Sequence, residues 1–377
     1  MERDLLSWLW ALVGVHILLA WVLAWRRGVQ ARLIPSIEFS LEATPLVSIL
    51  IPAWNERSTF NKTINALKQL TYPTWEAIVI AGGTDQTYIN ALEILKDCNK
   101  FKIICQPPCG KNTALNLGYA QSCGEVIVLL DADCIVEPDW LTHLVAPLTC
   151  GYQASLANYF PTNFTYISAE FEMAKVLSYQ IEHSSVLHGG GIALQRNLVE
   201  RIGGFPEKVT VGVDWDLDQR VTRLRAKKVF ASKARHKTYL PDTLPNYFRD
   251  EIRWRRAHLQ AVSRFSDLSL RGIKSTILGL SSYIMGVIFW AAPFVALMLK
   301  NIFPWSVQLW LALWVWILLR RSAMAYKVVA YTLERRWLLQ IGISPILLVV
   351  SFLCGTIALL TLWKRIIFFQ GPRPKSL

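Results

Sequence analysis

The sequence predicts an α/β domain built on a mostly parallel sheet and joined to helices that cross or lie on a membrane. Three observations predict it. Short apolar runs alternate with helical stretches over residues 46–240. Uncharged runs long enough for a bilayer lie on both sides of that region. Hydrophobic residues make up 53% of the 377, and 16 residues are Trp, which is more than a soluble enzyme uses.

The elements follow in chain order. Residues 7–25, SWLWALVGVHILLAWVLAW, form the first span, within an anchor over 1–30. A cleaved signal peptide is the rival reading. The long Trp-rich core and the lack of a small-x-small site favour a retained anchor. Arg26, Arg27 and Arg32 then place its C-terminal side, and the domain that follows, in the cytoplasm. Strands are expected at 47–53, 76–82, 101–106, 125–130 and 153–160. Helices are expected at 56–70, 86–98 and 111–123. Residues 241–272 contain an amphipathic basic helix, RDEIRWRRAHLQAVSRF, of the kind that lies in a membrane interface. A C-terminal membrane region, 273–377, follows. Its spans are 277–299, then 302–319 ended by Arg320-Arg321, then the apolar run 338–362. Gly342 and Pro345 leave that last run free to span, to re-enter or to lie in the interface.

The formal net charge is +13, which favours anionic partners. Residues 220–237 hold eight Lys and Arg and no acid, close in sequence to the interfacial helix. An acidic bilayer surface accounts for that charge, and no nucleic acid is expected. Seven Cys, an odd number with no Cys-x-x-Cys pair, read as reduced cytosolic thiols rather than disulfides or a zinc site.

Chemistry-bearing residues cluster where strands end. VIVLLDADC presents Asp131 and Asp133 with one small residue between them. Two carboxylates at a strand's carboxyl end suit Mg²⁺ or Mn²⁺ and a phosphate; an ordinary polar turn is the alternative. In IPAWNE, Pro52 marks the strand end, Asn55 caps the next helix or meets a ligand, and Glu56 points to the same edge. In AGGTDQT, Asp85 contacts a base or ribose or caps helix 86–98. Lys111 follows Gly110 at a helix start, where a cation is unfavourable unless an anion is bound there. In HGGGIALQRNLVERIGGF, three glycines including Gly190 precede an amphipathic helix and permit close approach to a ligand, or form a flexible loop. VGVDWDLDQRV gathers Asp214, Asp216 and Asp218, a solvated face or the source of a general base. Arg253 offers a clamp for a diphosphate, and Trp254 a flat face for a sugar or an anchor at the interface.

The pieces VSILIPAWNE, GKNTALNLG, VIVLLDADC, GGGIALQRNLVERIGGF, VDWDLDQR and RDEIRW, in this order over 46–256, resemble the membrane-integrated family 2 glycosyltransferases. That group includes ceramide-glucosyltransferase-like enzymes and the cellulose, hyaluronan and poly-N-acetylglucosamine synthases. The resemblance implies a GT-A fold and a nucleotide-sugar donor, with a UDP-sugar expected. It matches Asp131 and Asp133 to the DxD pair holding Mg²⁺ or Mn²⁺, Asp214 to the catalytic base, and Arg253-Trp254 to the Arg-Trp of Gln-x-x-Arg-Trp. Lys111 matches a lysine beside the nucleotide. Three departures from the family stand out: Ile80-Ala81 stand where Asp-Asp is frequent, Val213 replaces Glu, and Asp250 replaces Gln. The last two count against a processive synthase. The expected activity is inverting transfer to a membrane lipid, lipid-linked or glycan acceptor. A processive β-polysaccharide synthase is the alternative, and a degenerate membrane scaffold a third reading.

Overall fold

The computed structural model describes residues 2–34, 37–108, 110–209, 212–265, 270–302 and 305–361. Two compact units divide the chain. Of the described residues, one holds those within 37–162 and 184–239; the other holds those within 2–34, 163–183 and 240–361.

The first unit carries an eight-stranded sheet. Its strands are β1 (Val47–Trp54), β2 (Trp75–Gly82), β3 (Phe101–Cys105), β4 (Val126–Leu129), β5 (Ile135–Val136), β6 (Ala154–Pro161), β7 (Ile192–Gln195) and β8 (Lys228–Thr238). The order is β3-β2-β1-β4-β7-β6-β8-β5. β1 to β4 are mutually parallel, and β7 enters antiparallel to β4. The central strands are rich in β-branched residues because helices cover both of their faces. On one face Ile49, Ile51, Val79 and Val128 pack with Phe60 and Ile64 of the helix Arg57–Leu67. On the other, Leu50 and Ile80 meet the helix Lys111–Ala120 at Gly118, where a Cβ would lie 2.7 Å from Ile80 Cδ1.

Two expectations change here. IALQ (192–195) is β7, and the helix starts only at Arg196. Half of the basic run 220–237 lies in β8, whose buried positions are Ala231, Ala234 and His236. Lys228 turns inward to Asp218 at 2.5 Å, with the side chains 9% and 3% exposed. Lys228→Met strands a buried carboxylate, so it should cost about 3–5 kcal/mol. A lower thermal midpoint of the purified protein will report that loss.

The second unit is helical: Glu2–Leu33, Ser168–Lys175, Leu244–Phe265, Leu270–Leu299, Ser306–Thr332 and Gln340–Leu360. Glu2–Leu33 packs on Ser306–Thr332 through Gly28, where a Cβ would come within 2.5 Å of the Lys327 carbonyl. Ion pairs tie the segment 163–183 to Ser306–Thr332 and to the turn after it: Arg321 with Glu170, Lys327 with Glu182 at 3.0 Å and, from the turn, Arg336 with Glu172 at 3.1 Å. Among the described residues, Leu6–Leu33 and Gln340–Leu360 are long and apolar enough to cross a membrane. Ser306–Thr332 does not stop at Arg320-Arg321 but continues through Lys327. Gln340–Leu360 runs unbroken through Gly342 and Pro345. The basic residues after 361 lie outside the described residues.

Candidate active site

The site lies where β1 and β4 part. β1 pairs with β4 from Val47↔Val126 to Leu50↔Leu129, yet stays paired with β2 as far as Trp54↔Gly82. The Leu50 carbonyl accepts the Leu130 N–H at 3.1 Å, and alternation turns Pro52 to the same side. Pro52 has no N–H to continue that ladder, so the strands separate there. Because β2 and β3 lie on one side of β1 and β4 on the other, this gap is the switch point at the carboxyl edge.

Asp131 and Asp133 flank a turn just beyond β4. The Cys134 N–H closes it on the Asp131 carbonyl at 3.2 Å. Ala132 is buried, and its carbonyl accepts the Thr63 hydroxyl at 2.8 Å. With the middle residue held in the core, both carboxylates remain half-exposed at the edge. Thr63→Val would leave that carbonyl unsatisfied, at about 1–3 kcal/mol. Thermal unfolding should show the loss, with a weaker apparent metal affinity in nucleotide-binding titrations.

Lys111 sits at the first position of its helix and pairs with Asp131. Partial burial works against its ammonium. The Asp131 carboxylate, helped by Asp214 and then Asp133, outweighs burial and raises its pKa, so it stays a cation. The dipole mismatch noted in the sequence is therefore relieved by carboxylates of the same unit. Lys111, Asp131, Asp133 and Asp214 form one electrostatic cluster. Cys134 lies beside it. Burial first, then Asp133 and Asp131, push its thiol well above the ordinary range and keep it protonated.

Asp214 opens the helix Val213–Arg223, where the dipole favours a carboxylate. One oxygen accepts the Gly189 N–H at 2.8 Å and the other its neighbour Trp215 N–H at 3.0 Å. Asp216 is committed to Arg220 at 3.0 Å, and Asp218 to Lys228 and to the Leu187 N–H at 2.7 Å. The aspartates do not form a solvated face: Asp216 and Asp218 are structural, which leaves Asp214 at the edge. The glycine run brings backbone close to carboxylate. A Cβ on Gly190 would lie 3.2 Å from Asp131 Oδ2 and 3.1 Å from Cys134 Sγ.

The remaining predicted residues shape the β1–β2 end. Asn55 does not cap the next helix. It takes φ 56° and accepts the Thr84 N–H at 2.7 Å, clamping the two strand-end loops together. Glu56 stands at the N-cap of Arg57–Leu67, where its carboxylate accepts the Thr59 hydroxyl at 2.9 Å. Asp85 accepts the Arg57 N–H and the Thr87 N–H, each at 3.0 Å, and so anchors two helix starts. Burial opposes its charge, but the Thr87 hydroxyl and these N–H groups hold its pKa below the usual range. Arg253 and Trp254 lie in the helical unit, on Leu244–Phe265. Arg253 pairs with Asp250 at 3.0 Å and sits 5.3 Å from the Trp254 ring centre; Trp254 packs edge-on against Phe171. Sequence reasoning missed Thr63 and the Gly189 N–H. The first carries no signal beyond a helix face, while the second was visible only as part of a glycine run.

The two carboxylates at the turn are hard oxygen donors, which fit a divalent cation whose remaining ligands are phosphate and water. Among the described residues no three His, Cys, Asp or Glu side chains converge on a metal position.

Residues 48–201 match the family model described as Glycosyl transferase family 2. The chain is 30% identical over 254 residues to the "Probable glycosyltransferase YdaM" of Bacillus subtilis, covering 62% of this chain and 60% of that one. It is 30% identical over 195 residues to a "Beta-monoglucosyldiacylglycerol synthase" of Nostoc sp., covering 47% and 41%. It thus spans less than two-thirds of either relative. Among solved structures, mannosyltransferase PcManGT from Pyrobaculum calidifontis, in complex with GDP-Man and Mn²⁺, shares the fold. The TM-score is 0.58 at 19% identity, over 93% of this chain and 98% of that one. Pairing order, edge cluster and family match agree on residues 48–201 as a family 2 glycosyltransferase domain within a sheet of GT-A fold.

Proposed function

We propose that this chain transfers a single sugar from a nucleotide-sugar donor, a UDP-sugar, to a membrane lipid or lipid-linked acceptor, with inversion at the anomeric carbon. The observation that supports this most is the convergence of Lys111, Asp131, Asp133 and Asp214 at the β1–β4 switch point. Asp131 and Asp133 are the residues that would hold Mg²⁺ or Mn²⁺, which when bound stabilises charge on the departing diphosphate. Lys111, kept cationic, adds positive charge at the same edge. Asp214 is the base: held by the Gly189 N–H, it takes the proton of the acceptor hydroxyl as that oxygen attacks the anomeric carbon. Attack comes opposite the leaving diphosphate, so an α-linked donor gives a β-linked product. Arg253 and Trp254 keep their proposed roles, diphosphate clamp and sugar platform, on the motif alone.

The lipid acceptor is supported by the two helices able to cross a membrane and by the glycolipid synthase among the relatives. Incubating the purified protein in mixed-lipid nanodiscs with UDP- and GDP-sugars and Mn²⁺ or Mg²⁺ tests the reading by product mass. One lipid-sized product from one UDP-sugar is expected. Long polymer would replace this reading with processive synthesis, and no turnover with any donor would count against catalysis.

A further inference from the structure

We infer that the buried pair Asp218–Lys228 positions the base, by fixing the glycine loop whose Gly189 N–H holds Asp214; the inference rests on the reading of Asp214 as that base. Asp214 and Asp218 stand one turn apart on Val213–Arg223, so both carboxylates meet the same stretch of chain. Asp214 accepts the Gly189 N–H at 2.8 Å, and Asp218 accepts the Leu187 N–H at 2.7 Å. The helix therefore grips the loop at two amides, two residues apart.

The loop does not set its own shape. Gly189 takes φ 71° and Gly191 φ 83°, a region that glycine enters and leaves without steric cost. Two ties hold the stretch instead. At its far end the Gly191 N–H donates to the Leu129 carbonyl at 2.9 Å, and the Gly191 carbonyl accepts the Ala157 N–H at 2.8 Å. At its near end Leu187 is fully buried, and its N–H ends on Asp218. Gly189 lies between these ties and is exposed.

Asp218 is held in turn. Lys228 donates to its carboxylate and, at 2.8 Å, to the Thr222 hydroxyl. Lys228 opens β8, where it pairs with Ala154 of β6. A line of contacts thus runs from the sheet through Lys228 and Asp218 to the Leu187 amide, the loop and the base. The neighbouring pair serves a different turn: Arg220, bound to Asp216, donates to the Ile202 and Gly204 carbonyls at 2.6 Å and 2.9 Å. Asp218 acts on the reaction only through the backbone of the loop. A misplacement of about 1 Å at a reacting group costs on the order of 10²-fold in rate.

The test compares two uncharged replacements of the pair in the full chain, in mixed-lipid nanodiscs with Mn²⁺. Asp218→Asn/Lys228→Met keeps an oxygen for the Leu187 N–H; Asp218→Leu/Lys228→Met does not. Removing both charges together avoids the stranded carboxylate that Lys228→Met alone would leave. Sites are counted by UDP titration, and transfer from a UDP-sugar is expressed per site, so lost folded material does not enter the rate. Asp218→Leu/Lys228→Met should lose about 10- to 100-fold in kcat, with the donor KM within about threefold of wild type. Asp218→Asn/Lys228→Met should keep its kcat within about threefold of wild type. Should the leucine variant bind no UDP, Asp218→Ala/Lys228→Met, which adds no bulk, carries the same comparison. Equal per-site rates in the asparagine variant and its partner, whether both high or both low, would overturn the positioning role. Full turnover in Asp214→Asn, or a wild type that binds no UDP, would instead remove the reading of the base, and this inference with it.

Discussion

Asp214→Asn should lower sugar transfer by about 10²- to 10⁴-fold while nucleotide binding stays near that of the wild type. The amide keeps an oxygen for the Gly189 N–H and the same shape at the start of the helix, so the loop and helix should hold. It cannot take a proton from the acceptor. Single-turnover measurements beside nucleotide titration separate these effects. The neighbouring aspartates provide the contrast. Asp216→Asn and Asp218→Asn weaken ion pairs with Arg220 and Lys228, and their effect should appear first in stability. If Asp214→Asn retained full turnover, or if Asp216→Asn alone abolished it in a stable protein, the base would be misassigned.

Asp131→Ala should weaken metal-dependent nucleotide binding by about 100-fold or more and reduce transfer with it. Asp131 is central in two ways. It is one of two carboxylates at the turn, and it is the chief partner that keeps Lys111 charged against burial. Losing it would remove both a carboxylate proposed to hold the cation and the group that pairs with the lysine at the edge. Titrating Mn²⁺ at fixed nucleotide, in the wild type and the variant, measures the effect. Identical metal curves would show that the DAD turn does not hold the cation.

Much of this architecture was legible because the central strands are buried on both faces, and such strands leave continuous apolar runs. β1 to β4 and β6 match the expected segments to within one residue at each end. β8 was hidden for a physical reason. Its pairing with β6 shifts between Ala157 and Asn158, which breaks the period of two, so Ala231, Ala234 and His236 are the buried positions. What remained on the page was a run of basic residues. β7 is four residues long and follows glycines, too short to declare itself.

The site divides in the same way. Asp131, Asp133 and Pro52 were readable because chain direction alone puts a strand's carboxyl end at the ligand edge. The choice among Asp214, Asp216 and Asp218 was not, because it depends on Lys228, on the Leu187 and Gly189 amides and on Arg220. Nor was Asn55, whose left-handed backbone sends its side chain across to Thr84 rather than onto its own helix.

The anomeric configuration of the product tests the central claim most directly. From an α-linked donor, proton NMR of the new linkage should show the β anomer, as direct displacement assisted by one base at Asp214 requires. An α-linked product would mean retention, and with it a mechanism that a single base at Asp214 does not provide.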